Sequence, residues 1–144
     1  GASAIVPVLA DPMGVDPVLV LIRQFRYAAG GYLYEVPAGR LNEGETAAAC
    51  AMRELTEETG YRAKGVEPLF SMFTTPGFTD ERIHVFYAHG LTAGMSAREA
   101  DEVMSIEEMP LSQAISLIRG GEIQDAKTAL SILFFAGIAG RRQT

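Results

Sequence analysis

Residues 39–61, GRLNEGETAAACAMRELTEETGY, hold glycine, carboxylate and arginine at offsets that leave the segment few ways to fold. Gly39 is followed after five residues by Glu45, after seven more by Arg53-Glu54-Leu55, then by Glu57-Glu58 and, past one spacer, Gly60. At about 100° per residue Glu54 and Glu58 stand one helical turn apart with Glu57 beside them, so a helix here carries three carboxylates on one face. The same rotation puts Ala48, Ala51, Met52 and Leu55 on an adjoining arc, the side such a helix buries. Core and acid faces are therefore expected to be separate. Thr46 is suited to cap the helix and Gly60 to stop it, while Gly39 and Gly44 bracket a loop that must turn sharply into it.

Three like charges within one turn repel, and local helix physics does not reward them unless a cation sits among them. The bland alternative is a solvated acidic face, the usual fate of a Glu pair on a helix. If a cation is held, oxygen ligands select a hard divalent ion, Mg²⁺ with Mn²⁺ as a substitute, and the lack of a Cys/His cluster speaks against zinc. Arg53, four residues before Glu57, can orient that carboxylate by a charge-assisted bond. A tight backbone at Ala38 can offer its carbonyl to the metal.

Taken whole, the spacing resembles the Nudix box. Seven fixed letters coincide by chance on the order of once in a million chains or fewer, which overturns the solvated-face alternative. The resemblance implies an α/β fold, an α/β/α sandwich with a mixed β-sheet. It also implies a loop-helix-loop that binds metals against a diphosphate linked to another group X, which water then hydrolyses. On this comparison Glu54, Glu57, Glu58 and the Ala38 carbonyl are the metal ligands.

Composition fits one enzyme domain over residues 1–144 with a substantial core, since 48% of residues are hydrophobic and 21% charged. A net charge of −6 opposes broad attraction to nucleic acid, and the longest apolar runs, 18–22 and 129–138, are too short to span a membrane. A single cysteine, Cys50, excludes an internal disulfide and is compatible with a reducing cytoplasm; it reads as a small helix side chain rather than a catalyst, with oxidation sensitivity, from its place one turn before Glu54, as the alternative. Apolar runs at 4–9 and 18–25, split by Asp11-Pro12-Met13-Gly14, read as a hairpin. Further strands are expected at 32–35, 66–73, 82–88 and 104–108, the run at 82–88 being apolar enough to be covered on both faces. Helices follow at 47–59, from Pro110 through Ile118, and from an Asp125 cap toward Ala139.

Outside the box, Leu21-Ile22-Arg23-Gln24-Phe25-Arg26-Tyr27, Glu35-Val36-Pro37-Ala38-Gly39, Thr75-Pro76-Gly77-Phe78 and Asp125-Ala126-Lys127-Thr128 resemble the ADP-ribose pyrophosphatase and nucleotide-sugar hydrolase branch of that family. A proline sixteen residues past the box's last glycine, here Pro76 after Gly60, is the branch's mark. The branch implies cleavage of ADP-ribose to AMP and ribose 5-phosphate, a homodimer, and an N-terminal segment that this chain, opening at Gly1-Ala2-Ser3, is expected to lack. Arg26 is the candidate for a phosphate oxygen, against an ordinary strand arginine. Pro76 and Phe78 can wall a base or ribose, or simply make a turn. Glu81 can accept a ribose hydroxyl or remain solvated.

Two positions compete for the base that activates water. Glu57 is already in the box, whereas Glu99, in Arg98-Glu99-Ala100-Asp101-Glu102-Val103, occupies the base position by resemblance to the catalytic loop of ADP-ribose hydrolases. Asp101 and Glu102 stand as its substitutes. His84 and His89 belong to no constellation. A hydrolase of GDP-mannose or another dinucleoside diphosphate would use the same helix, and a sensor that binds a nucleotide sugar without cleaving it is the reading from another class.

Overall fold

Strand β1 (Ala2–Leu9) sends its alternate side chains into two different cores, and the layers follow from that. Ala4, Val6 and Val8 pack with Leu19, Leu21, Ile132 and Phe135, while Ile5 on the opposite face packs with Ala51, Leu55, Phe86 and Ala88. The computed structural model describes residues 1–94 and 104–141. Among them β1 is followed by β2 (Val18–Arg26), a 3-10 turn at Tyr27–Ala29, β3 (Gly31–Glu35), β4 (Ala38–Arg40) and α1 (Ala47–Thr59). Then come β5 (Tyr61–Arg62), β6 (Gly65–Phe73), β7 (Arg82–His89), β8 (Thr92–Ala93), β9 (Met104–Pro110), α2 (Leu111–Arg119) and α3 (Ala126–Arg141).

The sheet is mixed. β1 runs parallel to β7 and antiparallel to β4 and to the start of β2, β2 pairs antiparallel with β3 and β9, and β6 pairs antiparallel with β7. Helix α1 covers one face, and α2 and α3 cover the other. β7 is covered on both sides as its apolar run implies, with Ile83 and Val85 in one core and Phe86 and Ala88 in the other. The expected hairpin of β1 and β2 exists only at Val8↔Leu19 and Leu9↔Val18, because β3 takes that edge of β2 from Ile22 onward, while β9 runs along the opposite edge.

Three short strands, β4, β5 and β8, were not expected. Residues 38–40 continue as a strand against β1, with Ser3 opposite Gly39 and Ala4 opposite Ala38. Tyr61 and Arg62 pair with Ala93 and Thr92 in a separate two-stranded sheet. The helical arc also needs correction. Ala51 and Leu55 are buried as expected and Ala48 packs against them, but Met52 is 38% exposed, and α1 also buries Cys50, Glu54 and Thr59, so the acidic and buried faces overlap at Glu54. Among the described residues no helix is long and apolar enough to cross a membrane.

Candidate active site

Local chemistry sets α1 against the sheet. The Thr46 hydroxyl accepts the Ala49 N–H at 3.2 Å, and Gly60 ends the helix at φ 77°, its N–H donating to the Thr56 carbonyl. Gly44, at φ 74°, makes the turn before the helix. Gly39 does not turn. A Cβ there would lie 1.9 Å from Glu54 Oε1, so its missing side chain is the space that lets a carboxylate into the seam between β4 and α1.

Arg53 is the hub on one side of that seam. Its guanidinium bonds both oxygens of Glu45 at 2.8 and 3.0 Å, Glu54 Oε1 at 2.6 Å and the Arg40 carbonyl at 2.9 Å. The expected bond to Glu57 is present as its longest carboxylate contact, 3.2 Å, with the Glu57 side chain 54% exposed. Hydrogen bonds from Arg53 hold the Glu45 carboxyl down at about 2.

Glu58 behaves in the opposite way. Burial first, and then the charge of Glu54, push its carboxyl up to about 7, although the Ala38 N–H donates to its Oε2 at 3.2 Å. Glu54, Glu58 and the Ala38 backbone therefore meet at one point. Two crowded carboxylates with oxygen-only donors, one of them resisting ionisation, suit a hard divalent cation. In the arrangement described, Arg53 holds Glu54 and Glu57, and no group of three His, Cys, Asp or Glu among the described residues is disposed around a metal position.

Beside Glu58 lies a network that the sequence reading did not assign. Glu35, its side chain 3% exposed, takes Arg26 through both oxygens at 2.6 and 2.9 Å and Lys127 Nζ at 2.7 Å. Lys127 also bonds Asp125 at 2.9 Å, and Asp125 caps α3 through the Thr128 N–H and hydroxyl. Burial would lift the Glu35 carboxyl, but bonds from Arg26 and Lys127 outweigh it and hold it below its ordinary value. Arg26 thus reaches the neighbourhood of Glu58, its guanidinium stabilised by Glu35 first and by the Glu58 charge in smaller part, with its fork engaged by Glu35. The signal for this was a glutamate directly before Val36-Pro37 in an otherwise apolar and aromatic strand.

A cavity of about 480 Å³ is lined by Phe73, Thr75, Glu81, Asp125, Lys127 and Leu130 among others, so Glu81 and Lys127 face one space. Pro76 and Phe78 are not in that lining; they sit exposed at the loop tip, Phe78 at 86%. Glu99, Asp101 and Glu102 lie outside the described residues. Cys50 is fully buried on α1 with its thiol lifted by burial, which agrees with a small helix side chain and speaks against the oxidation-sensitive alternative. His84 Nδ1 lies 2.8 Å from the Ser71 hydroxyl, an ordinary strand-to-strand bond.

The NUDIX domain family model matches residues 1–130. The chain is 41% identical over 118 residues to the ADP-ribose pyrophosphatase of Bacillus subtilis (strain 168), covering 81% of this chain and 64% of that protein. It is 40% identical over 121 residues to the GDP-mannose pyrophosphatase of Cronobacter sakazakii (strain ATCC BAA-894), covering 78% and 63%. The chain thus spans less than two thirds of the length of either relative. A crystal structure of an ADP compounds hydrolase superposes with a TM-score of 0.85 at 21% identity, covering 98% of this chain and 73% of that one, which is a likeness of fold.

Proposed function

The chain belongs to the NUDIX family, and on that premise we propose that it hydrolyses the diphosphate of a nucleoside diphosphate linked to a sugar, ADP-ribose foremost, to AMP and ribose 5-phosphate. The observation that carries this reading is the meeting of Glu54, laid over Gly39, with Glu58, held by the Ala38 N–H and with its carboxyl pushed up to about 7. Glu54, Glu58 and the Ala38 carbonyl are the proposed holders of Mg²⁺, Mn²⁺ substituting, with Glu57 as a third, more exposed carboxylate. Bound there, divalent ions neutralise the diphosphate and lower the pKa of water.

The chain's own groups supply the rest. A carboxylate of segment 95–103, Glu99 in the first instance and Asp101 or Glu102 otherwise, takes the proton of the attacking water. A new P–O bond forms as the bridging P–O bond breaks, and the departing phosphate leaves with the bridging oxygen. Arg26, oriented by Glu35, meets a phosphate oxygen with what its fork leaves open. Glu81 accepts a sugar hydroxyl in the cavity it shares with Lys127, and the loop of Pro76 and Phe78 closes over the substrate's outer side. The active unit is read as a homodimer and its compartment as the cytoplasm, the latter on the single cysteine.

A GDP-mannose reading is supported by the Cronobacter relative at nearly the same identity. The test is product analysis on ADP-ribose, ADP-glucose, GDP-mannose, NADH, diadenosine polyphosphates and nucleoside triphosphates, with Mg²⁺ and with chelator. Metal-dependent release of AMP from ADP-ribose is expected. Cleavage of GDP-mannose alone moves the assignment to that sugar nucleotide, triphosphate-only cleavage removes the nucleotide-sugar reading, and binding without cleavage supports the sensor.

A further inference from the structure

Residues 35 and 36 are gripped by residues 127 and 128, just before the backbone that meets Glu58. The chain leaves β2 at Glu35, paired with Ile22, and joins β1 at Ala38, paired with Ala4, so Val36 and Pro37 cross between two partner strands. At that crossing the fully buried Val36 sends its N–H to the Thr128 hydroxyl at 2.9 Å. Thr128 is fully buried too, and its hydroxyl donates to Asp125 Oδ2 at 2.5 Å, which leaves its lone pairs for the Val36 amide. Pro37 follows with φ fixed by its ring, and its carbonyl accepts the Ile5 N–H at 3.0 Å. Ladder alternation then turns the amide and carbonyl of Ala38 away from β1, and the N–H donates to Glu58 Oε2 at 3.2 Å.

From this arrangement we propose that Thr128 is a positioning residue: through the Val36 N–H it sets the backbone of residues 36–38, and so the place at which the Ala38 carbonyl and Glu58 stand to a divalent cation. The idea rests on the reading that these two groups hold the metal. A hydroxyl suits the task because it accepts from a buried amide and donates to a carboxylate at once, whereas a valine of the same shape does neither and leaves the amide unpaired. The bond reaches ninety-two residues along the chain and ties the first turn of α3 to the segment between β3 and β4. Lys127 makes a second tie to the same place through Glu35 at 2.7 Å, so the crossing stays near its position when the Thr128 bond is lost. The effect therefore falls on fine placement of the Ala38 backbone.

The test compares Thr128→Val and Thr128→Ala, which lose the hydroxyl, with Thr128→Ser, which keeps it. Ser131→Ala is the control, since it removes another buried hydroxyl of α3 whose bond, to the Lys127 carbonyl, stays inside the helix. Mn²⁺ binding followed by electron paramagnetic resonance should weaken about tenfold in the two variants without the hydroxyl, as loss of a group that supports a metal ligand does, and stay within about twofold of the parent in the other two. With ADP-ribose, the Mg²⁺ concentration for half-maximal activity should rise by a similar factor, while KM at saturating Mg²⁺ stays within about twofold. Amide exchange in the metal-free chain should rise at Val36 and Ala38. Unchanged Mn²⁺ affinity, an equal loss in Thr128→Ser or Ser131→Ala, or failure of both Thr128→Val and Thr128→Ala to fold would each overturn the proposal. A parent that binds Mn²⁺ yet cleaves no diphosphate, with the affinity still falling in Thr128→Val, would instead sink the hydrolase reading and leave the positioning role standing.

Discussion

The carboxylates of α1 and of the turn that precedes it fall into two groups with opposite surroundings. Glu45 and Glu57 lean on Arg53, which is anchored to the Arg40 carbonyl, and Glu45 stays ionised down to about pH 2. Glu58, one turn from Glu54, is half-buried against β4 and reaches its charged form only near pH 7. Glu54 belongs to both, with Oε1 on Arg53 and its carboxylate over Gly39. The difference teaches where a cation is needed. On one side Arg53 bonds its carboxylates directly, while beside Glu58 the cations Arg26 and Lys127 are engaged by Glu35.

If that division is right, Glu58→Gln should be the most damaging single change. Turnover should fall about a thousandfold or more in saturating Mg²⁺, since an oxygen ligand that neutralises the diphosphate is lost. The fold should persist, because an amide in that position no longer crowds Glu54 with a like charge. Circular dichroism and kcat measured on the same sample decide it, and a turnover near normal would place the metal elsewhere.

The same contrast predicts an unusual pH dependence for the metal-free protein. Below pH 4.5 the Glu58 carboxyl is protonated in both folded and unfolded chains; between 4.5 and about 7 the unfolded chain ionises while the folded one keeps its proton. The folded state then binds more protons, so stability falls as pH rises through that window, by about 3 kcal/mol at most, and is not regained above it. Chelated protein melted from pH 5 to 8 should show the decline, Glu58→Gln should lack it, and Mg²⁺ should stabilise the parent more at pH 8 than at pH 5. Glu35 has the opposite sign, contributing stability above its ordinary pKa that is lost as pH falls below it, so the two windows do not overlap.

Legibility in the sequence followed distance along the chain. The caps at Thr46 and Asp125 and the stop at Gly60 depend on bonds within a few residues, and all three were readable. The Glu35–Lys127 bond joins residues ninety-two apart, and nothing local to either announces the other. β4 went unread because three residues containing a glycine carry no alternation. The buried arc of α1 was misread at Met52 for a related reason. Hydrophobic periodicity assumes that apolar side chains turn inward, and it has no way to register that a missing Cβ on another strand leaves room for Glu54.

Gly39 is accordingly the next place to press. Gly39→Ala puts a methyl group where the Glu54 carboxylate now lies, and the carboxylate is the flexible partner, so it should move and the strand should not. The expected result is a fall in kcat of about thirtyfold, smaller than that of Glu58→Gln because Glu58 and Ala38 remain in place, with a modest loss of thermal stability. A collapse of the fold would mean that the seam tolerates no adjustment, and the carboxylate's freedom would have to be abandoned.

Glu57 is the finest discriminator between the two groups. It shares the acid face by helical rotation, yet its side chain is more than half exposed and its bond to Arg53 is the longest that arginine makes to a carboxylate. If the arginine side is chiefly structural, Glu57→Gln should cost no more than about tenfold in kcat, a fraction of the Glu58→Gln effect, and should raise the Mg²⁺ concentration for half-maximal activity only a few-fold. Equal losses for the two variants, with equal shifts in Mg²⁺ dependence, would mean that Arg53 surrenders Glu57 when the metals bind. The partition would then be a property of the metal-free molecule alone, and Arg53 would be a holder that releases its carboxylate on loading.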